Sequence, residues 1–329
     1  MPTTPTPVDV LVIGGGAAGL AAAMSLGRSR RTVRVLDAGE PRNAVSPHAH
    51  NLLTRDGTAP ADLLATARDE VERYDVEIVT ARVVDAREVD DAAGDRGPAE
   101  PAFEVRTADG ATHRARRLVV TTGMRDELPD VPGLAARWGR DALHCPYCHG
   151  WEVRERTLAV LATGPRAVHQ ALLVRQLSDD VTLLTGDTFE PGADDAADLA
   201  ARGVRVVRGP VTGVRTEQDT LTGLVLADGG LVPCDAVFIA TRAVLDAAVV
   251  DALGLETTTL DADGEDTGRA VTVDETGATS VPGVWAAGNV TGPQHALPSS
   301  IAAGSKAGAH VNASLVAADV AAARATVDA

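Results

Sequence analysis

Short apolar runs alternate with polar, glycine-containing breaks along this chain. Val8 to Ile13 is apolar apart from Asp9, and Val33-Arg34-Val35-Leu36-Asp37 is a second such run. Runs of this length bounded by turn residues predict strands. Between them, Leu20 to Leu26 is rich in Leu and Ala, which favour helix. The order strand, tight turn, helix, strand is a βαβ beginning. It recurs in the middle of the chain, where Leu158–Leu161 predicts a strand, Arg166–Leu177 a helix and Val181–Leu184 a strand. Two such units predict an α/β protein with two Rossmann-like, three-layer (ββα) dinucleotide-binding domains. Polar residues with Gly and Pro between Asp85 and Arg106, densest from Asp90 to Pro101, predict an exposed hairpin or loop. An Ala-rich stretch predicts a helix from about Ser300 to Val316, continued by a frayed helical tail. No heptad or short tandem repeat is present, so the two Rossmann-like units are the only internal duplication.

The first turn carries chemistry. Gly14, Gly16 and Gly19 form G-x-G-x-x-G between the predicted strand and helix. The first glycine permits a tight turn, the second lets a pyrophosphate approach the backbone, and the third lets helix and strand pack closely. The helix N-terminus then offers N–H groups and a positive dipole end to phosphate. Asp37, 23 residues after Gly14, closes the second strand, where a carboxylate can take a ribose hydroxyl. The pattern by itself does not separate FAD from NAD.

Composition narrows the partners. The 329 residues suffice for two domains, and 45% hydrophobic with 23% charged residues is ordinary for a globular protein. Aromatics are only 2%, so the core must come from Ala, Val and Leu. A formal charge of −16 argues against nucleic acid and anionic membrane surfaces as partners. No apolar run approaches the roughly 18 residues that span a bilayer, and Met1–Pro7 lacks the pattern of a signal peptide. A soluble, cytoplasmic protein is expected.

Three cysteines are too few for a stapled secreted scaffold, and two of them form Cys145-Pro146-Tyr147-Cys148. Such a pair can close and reopen a small disulfide ring, and thiolate character, supplied by a helix N-terminus or a nearby imidazole, makes it reactive. Zinc is the rival reading because His144 and His149 flank the pair, but four convergent ligands are hard to place on one short run. An inert structural disulfide is a third reading. Cys234, alone in a strand-like context, is expected to be a buried small apolar residue.

Two further segments, Leu118-Val119-Val120-Thr121-Thr122-Gly123 with Pro129 beyond it and Gly283-Val284-Trp285-Ala286-Ala287-Gly288-Asn289-Val290, resemble the second and third flavin-contact motifs of two-dinucleotide flavoproteins. With the cysteine pair between them, the chain resembles the low-molecular-weight thioredoxin reductases over nearly its whole length. The resemblance implies FAD as cofactor and a discontinuous FAD domain (1–118 and 245–329) around a central domain (119–244). It also implies a homodimer paired through the FAD domains. The implied cofactor contacts are Gly14, Gly16, Ala18, Gly19, Asp37, Arg42, Asn43, Asn51, Val83, Thr122, Gly123, Gly288, Asn289 and Ala296, with no metal site. Cys148 would face the flavin and Cys145 would meet the substrate. Reductases of this kind place an Asp after the second cysteine, where this chain has His149, an imidazole able to take a thiol proton. They also place an Asp where this chain has Asn289, whose amide can still bond a ribityl hydroxyl. Gln294-His295-Ala296 precedes the last helix, whose N-terminus should point at the flavin, and His295 is a candidate to face ring or substrate.

The middle unit departs from a working nucleotide site. Its turn reads Ala162-Thr163-Gly164-Pro165-Arg166-Ala167, with a methyl at the tightest point and a proline that removes an N–H. Thr185-Gly186-Asp187 stands where reductases carry cations for the NADPH phosphate, and Asp187 lies two places beyond the position equivalent to Asp37. NADPH is therefore disfavoured, and NADH little less so. Cys145-Pro146-Tyr147-Cys148-His149-Gly150-Trp151-Glu152, together with Glu40-Pro41-Arg42-Asn43, His48, His50 and Asn51, resembles the dithiol oxidases of the gliotoxin and holomycin type. That resemblance implies a small dithiol substrate, O2 as acceptor and peroxide as product. The alternatives are a disulfide reductase fed by another donor such as ferredoxin, and a flavin-bound redox sensor.

Overall fold

A computed structural model of the chain describes residues 5–89, 102–187, 189–262 and 264–327. The loop expected over Asp90–Pro101 lies outside the described residues. The chain opens with β1 (Val8–Ile13), α1 (Ala17–Arg28), β2 (Val33–Asp37), α2 (Pro60–Glu72), β3 (Glu77–Thr80), β4 (Val83–Glu88), β5 (Phe103–Thr107) and β6 (Thr112–Val120). They form one sheet in the order β3-β2-β1-β6-β5-β4. β6 is long because its opposite edges serve different neighbours. One edge carries β1 in parallel up to Ile13↔Val120, while on the other its first half pairs antiparallel with β5. The strand therefore runs through the domain boundary expected at 118/119 and ends at Val120.

β7 (Met124–Glu127) leaves this sheet, and β8 (Ala142–Leu143) and the one-turn helix α3 (Pro146–His149) follow. Then come β9 (Leu158–Leu161), α4 (Arg166–Val174), β10 (Val181–Gly186), α5 (Ala193–Ala201), β11 (Arg205–Arg208), β12 (Val211–Glu217), β13 (Thr220–Leu226), β14 (Leu231–Pro233) and β15 (Ala236–Ile239). The second sheet is parallel, in the order β11-β10-β9-β15-β8, and β12-β13-β14 is a separate antiparallel layer. α4 stops short of Leu177, because Gln176 and Leu177 donate only to carbonyls three residues back. The chain returns through β16 (Arg242–Leu245), α6 (Ala247–Ala252), β17 (Thr257–Ala262), β18 (Glu265–Val271), β19 (Val284–Ala286) and α7 (Leu297–Val327). β19 joins β6 of the first sheet in parallel. β7 and β16, the two crossings between the sheets, pair with each other, Met124 opposite Leu245.

Alternation along the strands builds three layers around each sheet. In the first, Val10, Val12, Val33, Val35 and Val119 face α1, α2 and α7, while Leu11, Ile13, Leu118 and Val120 face β4, β5 and α6. In the second, Leu158, Val160 and Leu183 pack on α4 and α5, while Ala159, Leu161 and Leu184 pack on β13 and β14. The buried set is mostly Val, Leu and Ala.

α1 and α7 touch backbone to backbone. Gly304 lies against the Ala18 carbonyl and Gly308 against the Ala22 carbonyl, so closely that a Cβ at either position would overlap them. Gly304→Val should force the helices apart. We expect a loss of about 1–3 kcal/mol, the usual range for overpacking, measured by denaturant unfolding against Ala302→Val, at a neighbouring position of the same helix, as control.

Candidate active site

The β1–α1 turn is shaped by what it must approach. Gly14 has φ +105°, a left-handed conformation that favours glycine, and a side chain there would strike the Thr121 carbonyl. The Thr121 hydroxyl bonds the Gly14 carbonyl at 2.8 Å, tying β6 to the turn. Gly16 caps α1 in an extended conformation, and nothing lies within 4 Å of where its Cβ would be. No side chain caps α1 and its first turn has no acidic residue, so the leading N–H groups stay available to an anion. Asp37 packs over Gly15 and accepts from Arg68 at 2.7 Å and from the Gly39 N–H at 3.2 Å. Open backbone, free donors and an acidic ribose acceptor fit a dinucleotide flavin.

This turn lines a cavity of about 810 Å³ that also reaches the cysteine pair. Gly14, Gly16, Ala18, Asp37, Arg42, Asn43, Asn51, Val83, Thr122, Gly123, Gly288, Asn289 and Ala296 all line it. Gly19 does not. It lies behind the turn against the Gly14 carbonyl, so its part is close packing rather than the expected cofactor contact. Arg42 does more than line the wall. Its guanidinium grips Asp126 through Nε (2.6 Å) and Nη2 (2.5 Å), and the Thr241 hydroxyl donates to the same carboxylate at 2.6 Å. Burial alone would raise the Asp126 pKa, but the Arg42 fork and Thr241 outweigh it and leave the carboxyl below its ordinary value. Asn51 adopts φ +61° and donates from its side chain to the Tyr147 carbonyl at 2.5 Å, tying its loop to the cysteine helix. Arg68, Asp126, Thr241 and Ser46 escape sequence reasoning because no motif marks them.

Cys145 and Cys148 form a disulfide with Cα atoms 5.2 Å apart. Cys145 caps α3, and its carbonyl accepts from the N–H groups of Cys148 and His149. Both cysteines, Tyr147 and His149 line the cavity. His149 Nε2 lies 3.4 Å from the Ser46 hydroxyl. Burial lowers its pKa, Glu152 opposes this, and His50 and His144 reinforce it, so the ring is held neutral. His144 is lowered too, by burial and then by Arg42, and its Nδ1 donates to the Ile239 carbonyl at 3.1 Å. Tyr147, on the cavity wall beside the disulfide, is 72% exposed, and Trp151, just beyond α3, is 68% exposed with the Arg154 guanidinium 3.9 Å from its ring centroid. Among the described residues no group of three or more His, Cys, Asp or Glu converges as metal ligands would. Cys234 is buried and its thiol is pushed up to about 12, which removes it from thiol chemistry.

At the turn of the middle unit that corresponds to the Gly14–Gly16 turn, polar side chains bond the chain's own backbone. Ala162 is buried and takes no positive φ, unlike Gly14. The Thr163 hydroxyl donates to the Ala240 carbonyl at 2.6 Å, bridging the ends of β9 and β15. Arg166, the first residue of α4, donates to the Thr241 carbonyl at 3.2 Å. Pro165 caps α4 and has no N–H to offer.

Two paired Rossmann-like units and a CxxC disulfide beside a dinucleotide cradle define a flavin-dependent disulfide oxidoreductase. Residues 8–308 match the pyridine nucleotide-disulphide oxidoreductase family, and the chain belongs to it. It is 31% identical to thioredoxin reductase sirT of Leptosphaeria maculans, over 98% of each chain. It is 38% identical to thioredoxin reductase tcpT of Claviceps purpurea, over 54% of each. The chain thus spans about half the length of tcpT but nearly all of sirT. Among solved structures, HlmI superposes with a TM-score of 0.90 at 44% identity, covering 99% of this chain and 98% of that one. An oxidoreductase from Agrobacterium tumefaciens gives 0.85 at 34%, covering 94% and 99%. No described helix is long and apolar enough to cross a membrane.

Arg42→Ala should leave the Asp126 carboxylate buried with Thr241 as its main remaining partner. We expect destabilisation of about 3–5 kcal/mol, the range for breaking a buried pair from one side. Arg42→Leu with Asp126→Leu should recover much of it in a denaturant double-mutant cycle.

Proposed function

We propose that the chain is an FAD-dependent dithiol oxidase that closes an intramolecular disulfide in a small dithiol, with O2 as acceptor and H2O2 as product. The observation that carries this reading is the shared cavity, which brings the Cys145–Cys148 disulfide and the Gly14–Gly16 turn onto one space. The Gly14–Gly16 backbone and Asp37 would hold pyrophosphate and ribose, Asn289 the ribityl chain, and the α7 N-terminus the ring. Bound FAD supplies a two-electron store that the cysteine dithiol fills and oxygen empties. The proposal includes an FAD-binding domain of about 1–118 and 245–329, extended to Val120 by β6, around the central domain. It includes a homodimer by family resemblance and, from the sequence, a cytoplasmic location.

The chain's own residues account for the sulfur chemistry. His149, held neutral, takes the proton of an incoming thiol. The substrate thiolate attacks Cys145 Sγ, the Cys145–Cys148 bond breaks, and Cys148 leaves as thiolate. The second substrate thiolate attacks its partner sulfur in the mixed disulfide, releasing the cyclic disulfide and the Cys145 thiolate. Two electrons pass from substrate to the cysteine pair and two protons are released. Ala162 and Pro165 in the turn of the middle unit, with Thr163 and Arg166 engaged by backbone carbonyls, support a thiol rather than a nicotinamide as electron source. The exposed Tyr147 ring on the cavity wall beside the pair gives an apolar small molecule a surface to rest on. The names of sirT and tcpT favour the second reading, a disulfide reductase, which here would take electrons from a protein donor.

Anaerobic mixing tests this. Dithiothreitol should bleach the flavin, and air should restore it with peroxide, whereas rapid bleaching by NADPH or NADH would defeat the proposal. Reduction by a ferredoxin, without reoxidation by air, would support the reductase. Flavin-bound Cys148→Ser should not bleach with dithiol.

The pH profile provides a separate test. Because burial depresses the His149 pKa below its ordinary 6.5, the ring stays a base across neutral pH. Bleaching should slow only as pH falls through that lowered value, and His149→Gln should be slower and lack this acid limb. The same limb in His149→Gln would remove His149 from the mechanism.

A further inference from the structure

The segment Ala287–Ala296, which joins β19 to α7, contributes Asn289 and His295 to the cavity wall and contains no acidic residue. The carboxylates that do line the cavity (Asp37, Glu40, Asp126 and Asp246) come from other parts of the chain. Asn289 organises this segment. Its Nδ2 lies 3.2 Å from the Gly292 carbonyl, 3.3 Å from that of Pro293 and 3.0 Å from that of His295. Three acceptors around one terminal atom fix which end of the amide is nitrogen, because Oδ1 there would face three oxygens. The same logic orients the next pair. The Thr291 hydroxyl donates its one proton to the Gly288 carbonyl at 2.8 Å, so it accepts from His295 Nε2 at 3.2 Å. Burial lowers the His295 pKa and keeps that ring neutral. α7 starts directly after this segment with no acidic residue in its first turn, so its positive end is uncompensated.

We propose that position 289 acts in two separable ways, through the Asn289 amide on flavin binding and through its lack of charge on the flavin potential. By sharing its two amide protons among three carbonyls it fixes the segment that leads into α7 and so helps hold the flavin, and by being neutral it leaves the field of that helix free to favour the reduced, negatively charged flavin ring. A carboxylate at 289 would fail in both respects: it has no proton to give the carbonyls, and it sets a negative charge on the wall. The neutral amide therefore biases electron flow from dithiol to flavin. This rests on the flavin reading above and adds to it which residue sets the direction.

The test is a redox titration of the flavin-loaded protein against reference dyes under argon, with flavin dissociation measured alongside. Asn289→Asp should make flavin reduction at least tenfold less favourable, about 30 mV for a two-electron couple, and weaken flavin binding. Asn289→Ala should weaken binding and leave the potential unmoved. Asn289→Asp at the parent potential, or Asn289→Ala lowering it as far, would overturn the proposal. If Asn289→Asp holds no flavin, Leu297→Asp adds the charge in the first turn of α7 without touching the amide. It too should lower the potential, and an unmoved value would count against us. A parent protein without flavin would sink the broader reading and this one with it, whereas a loaded protein with an unmoved potential sinks this inference alone.

Discussion

Everything at the site depends on how closely three pieces of backbone approach one another. Gly19 lets α1 settle on the Gly14 carbonyl, and Gly304 and Gly308 let α7 settle on the carbonyls of Ala18 and Ala22. No other residue type permits that distance. The result is that two helix N-termini, neither with an acidic first turn, open into one cavity. Each terminus contributes only about 0.3–1 kcal/mol to an exposed charge, rising toward 2 when partly buried. Their value is that they are fixed before any ligand arrives and need no reorganisation.

That choice of donors suits an acidic protein. With a formal charge of −16, a site for an anionic cofactor could have been built from arginines. Instead the arginines at the cavity are largely spent on carboxylates: Arg42 on Asp126, Arg68 on Asp37 and Arg82 on Glu40. Backbone dipoles act within a few ångströms, whereas the protein's overall repulsion is screened beyond about 8 Å at physiological ionic strength. Short-range donors therefore decide binding despite the net charge, and the carboxylates remain available to position residues.

The β1–α1–β2 unit, the cysteine pair and the middle unit were legible in the sequence because local periodicity and glycine spacing encode them. β1 and β2 match their expected bounds, and α1 extends its predicted segment at both ends. The Arg42–Asp126–Thr241 contact was not legible. Its members come from the loop after β2, from β7 and from the link just before β16, far apart in sequence, and only the tertiary fold brings them together. Arg68 is a similar case, since nothing on α2 says that it will meet Asp37. Gly19 packs behind the turn as the third glycine of the motif predicts, and it is the family resemblance, not the motif's packing logic, that also counts it a cofactor contact. The departures of the middle unit are visible in sequence as Ala162 and Pro165, but the bonds of Thr163 and Arg166 depend on where Ala240 and Thr241 arrive.

The pairing of β7 with β16 has an architectural consequence. The chain leaves the first sheet and returns to it through antiparallel neighbours, with Met124 opposite Leu245. Residues so paired lie only about 5 Å apart. The disulfide-bearing unit is thus a cassette whose two ends meet, spliced into a body that already closes its own sheet through β19. A new cassette could be exchanged at that seam without disturbing the cradle. The Asp126 node, at the seam itself, is then the place where an exchanged unit must fit to keep its sulfurs on the cavity.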